Sequence, residues 1–279
     1  MATLCPVARH NMPLKSVTPK MEIKPLRMTI NAALGATDDA LAPLDEHFSR
    51  VADALRTASR QRNTGAHGGG EAFDTTALLA LVGDFMALMS RLDLDYGPDG
   101  VLPIDDVPEA VDETLRALAE MESWLIRFDL TDQLASVQTL EIGIGYWAMR
   151  HGVPIFRVEP IVNALAAQAN TAGSKQETAA VYAMMQGFIG HFSPNHRADL
   201  ERSNPQRPWR LLNLNFAITA IRTGDPSLMQ YAFDTLNANL PDERAGFYEE
   251  AHALASQPGF PLATRGLIEA EIARWTRVH

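Results

Sequence analysis

Four arginines and a tryptophan crowd into the fifteen residues "HRADLERSNPQRPWR", His196–Arg210, of a chain that is otherwise acidic. Arg197, Arg202, Arg207 and Arg210 around Trp209 are the residue types that recognise phosphate or carboxylate, because a guanidinium offers paired N–H donors in a fixed plane. That chemistry makes the cluster a candidate anion or partner patch. The alternative is a connection whose arginines pair with neighbouring acids and whose tryptophan anchors the next helix. The histidines are scattered: His191 and His196 flank a proline turn, and His252 follows Glu249 and Glu250 without the HExxH spacing of a zinc helix. Structural roles are expected for them.

A second constellation is acidic. In "DYGPDGVLPIDD" (Asp95–Asp106), Asp95, Asp99, Gly100, Leu102 and Asp106 fall at the spacing of a calcium loop, and the segment resembles the EF-hand type. Gly97, Pro98, Pro103 and the short Asp106 depart from that pattern. Three carboxylates and the Val101 carbonyl fall short of the six to eight oxygens calcium takes. The other reading is a turn ending in an Asp cap before Pro108. "DDVPE" (Asp105–Glu109) is also similar to the acidic motif with which all-α isoprenoid synthases hold magnesium and a diphosphate, although a second such motif is missing. Acids at a helix start stabilise the helix dipole in any case. No GxSxG, Walker loop or GxGxxG occurs, so no cofactor is expected.

The elements that would position these groups read as helices throughout. Apolar residues Leu41, Leu44, Phe48, Val51 and Leu55 step by three and four after the cap-like Thr37–Asp39, a stripe best used on the chain's own core. A second helix from about Asp74 places Leu78, Leu81, Phe85, Leu88 and Leu92 on one face. Helices then run over roughly 108–128, 131–151, 154–170, 175–192, 209–223, 226–239, 242–256 and 261–277, broken at Gly and Pro. The chain divides into a flexible basic tail 1–36, an amphipathic helix with a Gly-rich linker over 37–70, and a helical repeat domain 71–279, with about nine helices in the fold as a whole. The tail's Met21 or Met28 is an alternative start.

"AMRHGVP" (Ala148–Pro154) and "AIRTGDP" (Ala220–Pro226) share one corner. Gly152 and Gly224 suit a left-handed helix end, and Pro154 and Pro226 the first turn of the following helix. Around the second corner, "LNLNFAITAIRTGDPSLMQYAFDTLNANLP" resembles a tetratricopeptide repeat, a helix-turn-helix unit of about 34 residues. Ala217 matches the family's small residue, Phe233 its aromatic and Pro241 its closing proline. The first corner has Gly145 and Ile161 at the first two places but Ala169 at the third. Met229 and Arg157 depart from the family's second small residue.

The resemblance implies an all-α, right-handed superhelical stack of antiparallel helix pairs whose groove takes a peptide or helix of a partner. Of the asparagines with which some members hold a carboxylate, only Asn215 has a counterpart; Gly143 stands at the other place. Leu211, Leu214, Ile218 and Ile221 would share that inner face, giving an apolar groove.

Bulk composition narrows the partners. With 279 residues, 46% hydrophobic and a net charge of −10, the chain has no overall positive field to hold nucleic acid. Cys5 stands alone, which excludes an internal disulfide. No apolar run reaches membrane-spanning length, and the N-terminus lacks a secretory signal, so a cytoplasmic protein is expected. The leading expectation is a non-enzymatic scaffold (adaptor, chaperone or regulator) binding a protein or peptide through Asn215, Arg197, Arg202, Arg207, Trp209 and Arg210. Two alternatives are a metal-dependent enzyme acting on a phosphorylated or diphosphate substrate through Asp105, Asp106 and the arginines, and a secreted bacterial effector with a helical body.

Overall fold

A computed structural model describes residues 42–65, 75–102, 105–198 and 203–276. The predicted tail 1–36, the cap at Thr37–Asp39, Leu41, the linker from residue 66, Pro103 and Arg202 lie outside the described residues. Within them every regular element is helical and no strand occurs. The helices are α1 (Ala42–Gly65), α2 (Thr76–Tyr96), α3 (Val107–Arg127), α4 (Leu134–Arg150), α5 (Glu159–Thr171), α6 (Lys175–His191), α7 (Pro194–Arg197), α8 (Pro208–Thr223), α9 (Pro226–Asn239), α10 (Arg244–Ala255) and α11 (Leu262–Thr276). Eleven among the described residues replace the expected nine or so. The excess includes α7, a single turn capped by Ser193 and too short to carry a hydrophobic period.

Contacts pass from each helix to its near neighbours in sequence. α2 packs on α3, α3 on α4, α4 on α5 and α6, both of these on α8, α8 on α9 and α10, and α11 on α9 and α10. α1 lies mainly along α4. Its Leu44, Val51 and Leu55 are buried, so the stripe read from sequence is spent on the chain's own core. The seat for α1 is Gly143: a Cβ added there would stand 2.5 Å from Leu44 Cδ2 and 2.8 Å from Cδ1. Gly143→Val should therefore lift the start of α1, costing about 2 kcal/mol through overpacking. Limited proteolysis would register it as faster cutting within 42–65, and an unchanged rate would refute this seating. Two residues on, Gly145 plays the same part against Ile161 and Phe188.

Two expectations are corrected here. The face read on the second helix is rotated: the core side of α2 is Leu79, Val82, Phe85, Met86, Met89 and Leu92, while Leu78, Leu81 and Leu88 are only partly buried. The helix is apolar on more than one side, so a three-four stripe can be drawn along either. The two corners also differ. Gly224 (φ 69°) and Gly152 (φ 68°) are both left-handed, as expected. At the second corner Asp225 Oδ1 accepts from the backbone N–H of Ser227 and Leu228, and Pro226 opens α9. At the first, Pro154 starts no helix; α5 begins at Glu159 with Pro160 in its first turn.

Tertiary bonds hold the intervening 153–158 out of the helix. Asp112 Oδ1 accepts from Phe156 N (3.1 Å) and Arg157 N (3.0 Å), His191 Nε2 donates to the Val153 carbonyl (2.9 Å), and His196 Nε2 to the Phe156 carbonyl (3.1 Å). Val153 and Ile155 are buried beneath.

Candidate functional site

Arg207 and Arg210 are drawn inward, whereas Arg197 is exposed. Arg207, at the N-cap of α8, donates from Nη2 to Glu243 Oε1 (3.2 Å) and from Nη1 to the Asn204 carbonyl (3.1 Å). Arg210 donates from Nε to the same Glu243 oxygen (2.8 Å) and from Nη1 to the Pro205 carbonyl (3.1 Å). The bond from Arg210 first, then Arg207, holds the Glu243 carboxyl below its ordinary value. Trp209 is buried against Phe192, ring centroids 5.7 Å apart. Arg197 bonds the Gly190 carbonyl, and Asn215 Nδ2 turns back onto the Leu211 carbonyl of its own helix (2.9 Å). Of the intended inner face, Ile221 is fully buried and Leu211, Leu214 and Ile218 are partly so.

Asp105 and Asp106 are exposed at the start of α3, and among the described residues no hydrogen bond or ion pair links them to the arginines. Asp106 occupies the N-cap of α3 yet makes no side-chain cap bond. The helix they start packs on α2 and α4, whereas the arginine-bearing α8 packs on α5, α6 and α9.

The loop of 95–102 is tied to the first corner by a buried polar network. Asp93, near the end of α2, accepts at Oδ1 from Trp147 Nε1 (2.8 Å) and His151 Nε2 (2.7 Å), and at Oδ2 from Arg150 Nη2 (3.2 Å). His151 Nδ1 donates to the Gly100 carbonyl at 2.6 Å. Both nitrogens of this buried ring thus face oxygens. Arg150 Nε lies 3.5 Å from Asp99 Oδ1. Asp99, one of the supposed ligands, and Gly100, the turn glycine of that pattern, therefore face a guanidinium and an imidazole. Among the described residues no three His, Cys, Asp or Glu side chains gather as a metal site.

Nothing in the sequence signalled this network. Its acid and its histidine stand 58 residues apart, near the ends of α2 and α4, and only the tertiary fold brings them together.

A second buried group has a visible signal, a lone acid inside the apolar run "LEIGIGYW" of α4. Glu141 is 1% exposed, and its Oε1 has no hydrogen-bond partner. Burial pushes its carboxyl up to about 9, and the nearby Glu122 charge adds to the shift. Glu122, on α3, is itself raised by burial against a hydrogen bond with Gln138. Glu141 is thus an un-ionised acid at neutral pH, able to hold a proton in the α3–α4 interior.

An open concavity lies elsewhere, between α2 and α3. A groove of about 550 Å³ is lined by Ala77, Ala80, Leu81, Phe85, Leu88 and Ala110, with Asp84, Glu113 and Thr114. Asp84 and Glu113 are exposed, and Glu113 is bonded by Arg116, with a further pull from Arg157 of the pinned connection. Beside Arg157, Phe156 is 59% exposed. The sequence reading missed this groove because it placed Leu81 and Leu88 on a single face with Phe85 and Leu92, which are buried. Among the described residues no helix is long and apolar enough to cross a membrane. Comparison with protein-family models, with curated proteins and with solved structures returns no match for this chain.

Proposed function

We propose that this chain is a helical interaction scaffold that receives, in the α2–α3 groove, a partner segment with an apolar stripe flanked by lysine or arginine. The observation that carries this reading is the two-sided apolar character of α2. Its core side is filled by Leu79, Val82, Met86 and Met89, while Ala77, Ala80, Leu81 and Leu88 line an open groove. A helix apolar on more than one face is ordinarily covered on each. Asp84 and Glu113 beside the groove would select the charge of the occupant, since complementary rims steer association and fix register. The mode is a helix or extended peptide laid between two helices, with small residues allowing close approach.

The stacking of each helix on its near neighbours supports a tetratricopeptide-like arrangement, as does the seating of Ile161 on Gly145. In this reading the arginines paired to Glu243 brace the far half of the stack, and α2 and α3 carry the binding.

The test is a titration of a fluorescein-labelled peptide of alternating Leu and Lys against the full-length chain. The variant Ala80→Lys/Asp84→Lys changes two exposed positions of the groove and should leave thermal stability intact. It should weaken binding at least about tenfold, equivalent to about 1.4 kcal/mol. Equal affinity for both proteins would overturn the assignment of the groove.

A further inference from the structure

We infer that, without a partner, the α2–α3 groove is occupied by the chain's own N-terminal segment around residues 20–30, which a partner must displace. The inference rests on the groove reading above and names its resident occupant. Residues 1–36 carry five positive charges (Arg9, Lys15, Lys20, Lys24, Arg27) and one negative, Glu22, which leaves the rest of the chain at a net −14. Within that segment Met21, Ile23, Leu26, Met28 and Ile30 are interleaved with Lys20, Lys24 and Arg27. Apolar residues alternating with cations are what a groove of Ala77, Ala80, Leu81, Leu88 and Ala110 beside Asp84 and Glu113 would accept.

Geometry allows the connection. Phe48 of α1 lies on Gly83 of α2, its Cε1 3.4 Å from where a Cβ would stand. Six residues of helix, about 9 Å, separate Phe48 from the start of α1 at Ala42. The groove lies across α2 from that contact, because Gly83 and Leu81 are about 200° apart on the helix. Passing around a helix about 10–12 Å across is the remaining distance. The twelve residues from Ile30 to Ala42 span up to roughly 40 Å when extended, enough for that path.

Tethering makes this an intramolecular equilibrium with an effective concentration on the order of millimolar, so it competes strongly with a free partner.

Two measurements on the full-length chain test the inference. Zero-length carbodiimide coupling is applied to a mixture of ordinary and ¹⁵N-labelled protein, and joined peptides are read by mass spectrometry. Lys20 or Lys24 should couple to Asp84 or Glu113, and each product should carry a single isotope label. In parallel, Lys20→Glu/Lys24→Glu/Arg27→Glu should bind the labelled Leu/Lys peptide at least about tenfold more tightly than the unaltered chain.

Isotopically mixed products would show that a second copy supplies the segment, which overturns the intramolecular contact. Absence of groove coupling, or coupling without the gain in affinity, overturns the inference as well. If Ala80→Lys/Asp84→Lys still weakens peptide binding in those cases, only the self-occupancy fails. If it does not, the groove reading falls with it.

Discussion

Glu141→Gln should raise stability at pH 7 by about 3 kcal/mol and flatten its dependence on pH. The folded protein holds a proton on Glu141 up to about pH 9, whereas the unfolded chain releases it near 4.5. Between those values the native state binds the extra proton, so stability falls as pH rises, by about 1.4 kcal/mol per unit. The stability associated with this group is complete below about 4.5 and is lost as pH climbs toward 9. Glu122, raised by the same burial, acts in the same direction.

Gln has the shape of the protonated acid and no charge to lose, so it removes the slope that Glu141 contributes. Urea or thermal melts at pH 5, 7 and 8.5 give the answer. The variant and the parent should agree at pH 5 within about 1 kcal/mol and diverge above it. A gain of about 3 kcal/mol corresponds to roughly 6–12 °C in melting temperature for a chain of this size. Parallel stability curves for the two proteins would show that Glu141 ionises freely in the folded state.

His151→Ala should be among the most destabilising single changes, at about 3 kcal/mol or more. The ring bridges Asp93 to the Gly100 carbonyl, and it packs on Trp147 with centroids 4.7 Å apart. Truncation leaves a carbonyl without its donor, removes one of three donors to a largely buried carboxylate and opens a void beside an indole. The consequence is local as well as global. The 97–102 loop loses its tie to α4, so amide exchange there should quicken well before the helices open. His151→Gln, which can still donate one bond, should recover part of the loss. Unchanged exchange in 97–102 for the Ala variant would mean that the loop is held by its own turn and by Arg150 instead.

How far the sequence alone could see is shown by these same residues. Most helix positions, the left-handed glycines at 152 and 224 and the stripe of α1 were legible, because each depends on neighbours within a few positions of the chain. Trp209 as an anchor and arginines paired with acids were open as one of two readings, since residue type signals pairing without naming the partner. The rotated face of α2 was not legible: a helix apolar on two sides offers two equally good stripes, and periodicity cannot rank them. The first corner misled for a different reason. "RHGVP" and "RTGDP" carry the same local signals, yet Asp112, His191 and His196 from distant helices bond the backbone of 153–158 and keep Pro154 outside a helix.

Determined by the sequence itself are the helical class, the acidic surface with its basic N-terminal stretch, and the places where helices end, all set by local sterics, hydrogen bonding and charge. Tertiary structure alone decided which side of α2 is left open, that Asp93 meets His151 across 58 residues, and that Glu141 lies beside Glu122 without a partner for one oxygen. Those outcomes depend on how whole helix faces compete for the same neighbours, a choice that no short window of residues contains.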